Sequence, residues 1–127
     1  MRILLAEDDA ATRSMLGEWL EMLGHQPLPA KDGLEGIVMF NEHKPDLVIT
    51  DCVMPQVNGR TLTQHVKFQS PDIPVIMLTG FSERFSRAEA EGIGANEYLQ
   101  KPVVLERLKQ IIDTYDRYYA NDPTPTL

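Results

Sequence analysis

The chain has 127 residues, the length of a single domain that can bury its own core. Its 19 acidic and 12 basic residues give a net charge of −7, which disfavours direct nucleic-acid binding because contact with a phosphate backbone needs an excess of Lys and Arg. The sequence has no apolar run of about 18 residues, the length that spans a membrane, and its single cysteine, Cys52, cannot form an internal disulfide. We therefore expect a cytoplasmic protein that does not contact a membrane.

Five short apolar runs have the pattern of strands, and the central ones are apolar on both faces, as buried parallel strands are. In chain order these predicted strands are Ile3–Ala6, Leu28–Ala30, Leu47–Thr50, Pro74–Thr79 and Tyr98–Leu99. Helical patterns follow them at residues 15–23, 34–40, 60–67, 83–91 and 105–115. Prolines interrupt the second strand and place it at a sheet edge, and Gly24 ends the first helix. Within that helix we expect Met15, Trp19 and Leu20 to lie in the core.

This alternation predicts an α/β domain, in which a five-stranded parallel sheet carries five helices on its two faces. We place the folded domain at residues 1–119. Residues 120–127 contain two prolines and no apolar periodicity, so they are predicted to form a flexible C-terminal tail or the start of a linker.

Compact polar residues follow four of the five predicted strands. They are Glu7, Asp8 and Asp9 after the first strand, Asp51 after the third, Thr79 at the end of the fourth and Lys101 after the fifth. The carboxyl ends of parallel strands meet at one edge of the sheet, and ligands of such sheets bind beyond that edge. We therefore expect these side chains to gather into one site.

The expected site has the chemistry of phosphoryl transfer. Carboxylates packed together repel one another, and a hard divalent cation such as Mg²⁺, which prefers oxygen ligands, relieves that repulsion. Lys101 would add a second positive charge, and the hydroxyl of Thr79 can donate to a phosphoryl oxygen. Such groups neutralise a phosphoryl group while a carboxylate oxygen attacks it.

Four motifs surround these residues. They are Ile3-Leu-Leu-Ala-Glu-Asp-Asp9 with Arg13, Asp46-Leu-Val-Ile-Thr-Asp-Cys-Val-Met-Pro55 with Gly59, Val75-Ile-Met-Leu-Thr-Gly80, and Tyr98-Leu-Gln-Lys-Pro102. Together they make residues 2–115 resemble a response-regulator receiver domain of two-component phosphorelay systems, which has the CheY-like fold. The resemblance implies a flavodoxin-like sheet with strand order 2-1-3-4-5.

The resemblance also implies a role for each site residue. Asp51 would accept a phosphoryl group from a phosphohistidine, and Lys101 would contact the phosphate after a cis Lys101–Pro102 bond. The implied Mg²⁺ ligands are Glu7, Asp8, Asp51 and the backbone carbonyl of Val53. Thr79 and Tyr98 would form the switch pair. Glu7 and Asp8 are matched as the acidic pair because Arg13 then stands at its usual distance, which leaves Asp9 as a loop residue or helix cap.

The partners are likewise implied by the resemblance. The donor would be a histidine kinase or a histidine phosphotransfer protein. A downstream protein, or a second copy of the chain, would dock on the fourth helix, fifth strand and fifth helix. The protein would not be an enzyme, except that it catalyses its own phosphorylation and dephosphorylation.

Other classes of protein would need different residues at these positions. A phosphatase with an aspartyl nucleophile needs a second acid two residues after that nucleophile, and Val53 stands there. A docking module without the chemistry would lack an acid or the lysine, and neither is missing. The segments Thr79-Gly-Phe-Ser-Glu83 and Lys101-Pro-Val103 resemble receivers attached to hybrid sensor histidine kinases, so both a free-standing regulator and a receiver module of such a kinase stay open.

The remaining residues carry smaller expectations. Val53 and Phe81 stand two places after Asp51 and Thr79, where fast-turning receivers have polar residues that hold the hydrolytic water. Neither side chain can hydrogen-bond, so we expect slow self-dephosphorylation. Three histidines, His25, His43 and His65, lack ligand spacing and are expected at the surface. Cys52 is expected to be a small buried hydrophobe.

Overall fold

The computed structural model describes residues 1–80 and 86–121. Along the chain, the elements are β1 (Arg2–Ala6), α1 (Ala10–Met22), β2 (Gln26–Ala30), α2 (Gly33–His43), β3 (Leu47–Asp51), α3 (Gly59–Gln69), β4 (Val75–Thr79), α4 (Arg87–Gly92), β5 (Glu97–Gln100) and α5 (Leu105–Asn121). The predicted start of the fourth helix, residues 83–85, lies outside the described residues. Helix α5 ends two residues inside the predicted tail, and residues 122–127 lie outside the described part, so the tail stays a prediction.

All five strands are parallel and their order is β2-β1-β3-β4-β5, which confirms the predicted sheet. The proline-containing strand β2 lies at an edge, as expected. The register pairs Ala6 with Thr50 and Asp51 with Leu78, so β1, β3 and β4 end at the same edge of the sheet. We call this the carboxyl edge, and it positions the site.

Apolar side chains alternate between the two faces of the sheet, and each face has its own core. One core joins the sheet to α2, α3 and α4 through Phe40, Leu62 and Ala90. The other joins it to α1 and α5 through Leu20 and Leu108. Cys52 is buried in the first core, as predicted.

Two expectations about burial are wrong. Met15 is 48% exposed. The buried stripe of α1 runs through Leu16 and Leu20, and Met15, adjacent to Leu16 in the chain, is turned away from that stripe by about 100° around the helix. His25 is only 8% exposed, and its Nδ1 lies 3.0 Å from the amino group of Met1. Met1 lies beside this ring because β1 pairs with β2 from Arg2 and Gln26 onward, a contact that the spacing of the histidines does not predict.

The helices that face the site begin at well-formed caps. The side chain of Asp9 accepts from the backbone N–H of Thr12 at the start of α1, and Asn58 caps α3 through the N–H of Thr61. These caps end the loops that follow β1 and β3 at the carboxyl edge. Among the described helices, none combines the length and apolar character that a bilayer crossing needs.

Candidate functional site

Three carboxyl groups meet at the carboxyl edge, as the sequence predicted. Glu7 follows β1, Asp8 is next in the chain, and Asp51 ends β3. Each offers an oxygen within 4.8 Å of those of the other two. Glu7 is 1% exposed and Asp51 is 2% exposed, whereas Asp8 faces solvent. We call this set the acidic cluster.

Lys101 reaches the acidic cluster from the end of β5. Its Nζ lies 2.7 Å from Oδ1 of Asp51 and 3.2 Å from Oε1 of Glu7. The backbone N–H of Lys101 donates to the carbonyl of Thr79 at 2.7 Å, and the Lys101–Pro102 peptide bond is cis, as the resemblance implied. The end of β5 is thus joined to β4 directly beside Asp51.

The charges of these groups are strongly coupled. Burial, and then the neighbouring Glu7, raise the pKa of Asp51 to about 8, against the opposing effect of Lys101. Burial alone would raise the pKa of Glu7 too, but the neighbouring Asp51, the Asp9 N–H and Lys101 together lower it. Burial lowers the pKa of Lys101, but the two acids outweigh this effect and raise it. One lysine therefore does not fully stabilise two buried carboxylates.

The acidic cluster fits a hard divalent cation. Both carboxylate oxygens of Asp51 are buried, and neither accepts a hydrogen bond from the described residues, although Lys101 forms an ion pair with one of them. Buried polar atoms of this kind call for a further partner. Carboxylate oxygens, with one acid open to solvent, are the donor set from which Mg²⁺ is bound while it keeps several waters. Val53 lies in the loop after β3, and its carbonyl stays a predicted ligand.

The loop between β1 and α1, residues 7–9, is held by several hydrogen bonds. Asp9, expected to be a loop residue or a helix cap, caps α1. Its backbone N–H donates to Oε2 of Glu7 at 3.1 Å. Nη1 of Arg13 donates to the backbone carbonyl of Glu7 at 2.7 Å. The sequence pointed to Arg13 by its spacing alone, and nothing in that spacing indicated a contact with the main chain.

The two predicted switch residues lie on neighbouring strands. Thr79 ends β4 and is 3% exposed, with its hydroxyl 3.4 Å from the carbonyl of Gly80. Tyr98 pairs with Met77 in the register, two residues before the end of β4, and is partly buried. The guanidinium of Arg87 lies 5.6 Å from the centre of the Tyr98 ring and also donates to the Tyr98 carbonyl at 3.2 Å. Sequence reasoning missed Arg87, while Phe81 lies outside the described residues.

The chain is similar to known proteins over most of its length. Residues 3–113 match the family model described as the response regulator receiver domain. The chain is 31% identical to a probable transcriptional regulator, ycf27, of Galdieria sulphuraria, over 95% of this chain and 49% of that protein. It is 32% identical to the Regulator of RpoS of Escherichia coli, over 87% of this chain and 33% of that protein. The chain thus spans half or less of the length of these curated relatives.

Solved structures show the same fold. A response regulator receiver domain protein from Clostridium thermocellum superposes with a TM-score of 0.87 at 31% identity, over 94% of this chain and 96% of that one. The chemotaxis protein CheY4 of Vibrio cholerae superposes with a TM-score of 0.82 at 27% identity, over 90% of this chain and 97% of that one. Both comparisons cover nearly the whole of each solved chain, so the match is to a complete domain.

Proposed function

The chain belongs to the response regulator receiver domain family of two-component systems, and we propose that it accepts a phosphoryl group from a phosphohistidine on Asp51, with Mg²⁺ bound by the acidic cluster. One observation carries this proposal: the buried carboxylate of Asp51 lies within reach of two other acids and 2.7 Å from Lys101. This arrangement is unfavourable in the resting protein, because burial raises the pKa of Asp51. The same arrangement becomes favourable once a phosphoryl group and a cation bind at the site, because the charged groups that stabilise them are already in position.

Transfer of the phosphoryl group from the phosphohistidine to Asp51 exchanges one bond to phosphorus for another. A carboxylate oxygen of Asp51 attacks phosphorus, the bond between phosphorus and the imidazole nitrogen breaks, and its electron pair returns to that nitrogen. Lys101 offsets the charge on the phosphoryl oxygens, as positioned cations do in phosphoryl transfer. When bound, Mg²⁺ supplies further charge neutralisation at the same oxygens. Glu7, Asp8 and Asp51 would hold the cation, with the carbonyl of Val53 proposed as a further ligand.

The output follows from a change in packing. The hydroxyl of Thr79 donates to a phosphoryl oxygen on Asp51, and Tyr98 then occupies the space that the threonine leaves. This shifts a population between two packed states. The affected surface is α4, β5 and α5, where we propose that a downstream protein or a second copy docks. The donor is a histidine kinase or a histidine phosphotransfer protein, and the domain acts free-standing or as a module of a longer regulator or hybrid kinase.

The proposal is tested by labelling with a small-molecule donor. Purified protein is incubated with acetyl phosphate and Mg²⁺, and intact mass is measured against time, with EDTA replacing Mg²⁺ in a parallel sample. We expect the mass of one added phosphoryl group in wild type, a large loss of rate in EDTA, and no addition in Asp51→Asn.

The matched control is Asp32→Asn. Asp32 caps α2 through the N–H of Glu35, and asparagine caps equally well, so this variant removes an acid from another loop and should be labelled at the wild-type rate. Full-rate labelling of Asp51→Asn would show that another residue is the acceptor.

A further inference from the structure

Arg13 contacts the main chain of the loop that carries two residues of the acidic cluster. It lies on α1, within reach of the loop that carries Glu7 and Asp8, yet its guanidinium bonds to main-chain oxygens of that loop. Nη1 donates to the carbonyl of Glu7 at 2.7 Å and approaches the carbonyl of Asp8 at 3.5 Å. The first contact is short and charge-assisted, which is the stronger class of hydrogen bond.

The same loop is anchored at both ends. The backbone N–H of Glu7 donates to the carbonyl of Ala30 at 3.0 Å, which ties the end of β1 to the end of β2. The backbone N–H of Arg13 donates to the carbonyl of Asp9 at 2.8 Å, in the first turn of α1. Glu7 and Asp8 both lie on the main chain between these anchors, and the side chain of Arg13 contacts their backbone carbonyls.

We propose that Arg13 is a positioning residue for the divalent cation: by holding the backbone carbonyls of Glu7 and Asp8, it keeps their carboxylates turned toward Asp51. The inference rests on the metal site of the proposed function. Groups that orient metal ligands without touching the metal commonly change its affinity by about 10- to 100-fold when they are removed. Arg13 has that place here, because it contacts the ligands' main chain and not their carboxylates.

A positioning role for Arg13 changes the affinity for Mg²⁺ in the direction opposite to that expected from its charge alone. Arg13 is a cation close to a site for a cation, so its charge alone opposes Mg²⁺ binding. If charge were its whole effect, removing it would tighten Mg²⁺ binding. If positioning dominates, removing it weakens binding. The direction of the change in affinity separates the two effects.

The experiment is a calorimetric titration with MgCl₂ at fixed ionic strength, using the full chain. Arg13→Met keeps the length of the side chain and removes both charge and donors. Arg13→Lys keeps the charge and one donor group. Arg117→Met removes an exposed arginine on α5 and serves as the matched control. A thermal melt in EDTA shows that each variant is folded before it is titrated.

We expect the dissociation constant for Mg²⁺ to rise about tenfold in Arg13→Met, to rise less in Arg13→Lys and to stay unchanged in Arg117→Met. A change in fold stability would not by itself alter the affinity of the folded protein. Unchanged or tighter binding in Arg13→Met overturns the positioning role while leaving the metal site intact. If Arg13→Met does not fold, wild-type affinity in Arg13→Ala, titrated where it is folded, overturns it equally. Wild type that binds no Mg²⁺ refutes the proposed metal site itself, and this inference with it.

Discussion

Gly59 is where a single methyl group would disturb Asp51 most directly. Gly59 is the first residue of α3, and its backbone N–H donates to the carbonyl of Cys52 at 2.8 Å. A Cβ at this position would lie 1.7 Å from the carbonyl oxygen of Asp51, 2.8 Å from its carbonyl carbon and 3.1 Å from Cα of Cys52. All three neighbours are main-chain atoms, so no side-chain rotation relieves the overlap. We therefore expect Gly59→Ala to move the end of β3 away from the start of α3.

The size of the effect follows from these distances. Non-bonded carbon atoms pack at about 3.5–4.0 Å, so the backbone at Asp51 and Gly59 must separate by more than about 1 Å. Overpacking a tight site costs about 1–3 kcal/mol, and because only backbone can move here we expect about 3 kcal/mol of lost unfolding free energy. A shift of about 1 Å in a reacting group lowers rates by as much as about 100-fold, so phosphorylation of Asp51 should slow at least about tenfold.

Gly17 is the matched control. It lies inside α1, and a Cβ there would meet nothing within 4 Å. Glycine within a helix costs about 0.5–1 kcal/mol relative to alanine, so Gly17→Ala should raise the unfolding free energy by that amount and leave the phosphorylation rate unchanged. Both variants are measured by urea unfolding and by acetyl-phosphate labelling. If Gly59→Ala is as stable as wild type and is labelled at the same rate, the close approach of α3 to Asp51 is wrong.

Two further predictions concern the lifetime of the phosphoryl group and the response to pH. Val53 lies two residues after Asp51, is 59% exposed and cannot bind a water through its side chain. Val53→Asn should therefore shorten the lifetime of the purified phosphoprotein severalfold, whereas the control variant Val53→Ala should not. Equal decay of wild type and both variants would contradict the role of water positioning. Burial, and then the amino group of Met1, lower the pKa of His25 from 6.5, while Asp113 and Asp116 act in the opposite direction. The unfolded chain therefore binds more protons at this ring, so the unfolding free energy should fall as the pH drops below about 6.5. Between pH 7.5 and pH 5.5, urea unfolding should show a larger loss of unfolding free energy in wild type than in His25→Gln. Equal losses in the two proteins would show that His25 does not cause this pH dependence.

The order and type of the elements were accessible from the sequence, because strand and helix patterns depend on neighbouring residues. The apolar runs at β1, β3 and β4 are buried on both faces, so their composition alone predicts parallel central strands. Prolines in β2 predict an edge strand for a local reason, since proline lacks the donor that a central strand needs. Residues at or directly after the ends of these strands, such as Glu7 and Asp51, could be assigned to one edge once the sheet was known to be parallel.

The contacts within the acidic cluster and with Lys101 depended on tertiary structure. Glu7 and Lys101 are 94 positions apart, and only the packing of β5 against β4 decides that their charged atoms meet. Glu7 and Asp8 are neighbours of the same chemistry, yet one is buried and the other faces solvent, because the chain bends at Asp8 between β1 and α1. Arg13 donates to a main-chain carbonyl, and every residue has one, so no sequence pattern marks its target. Burial and charge coupling are sums over all surrounding groups, and those surroundings exist only after the chain has folded.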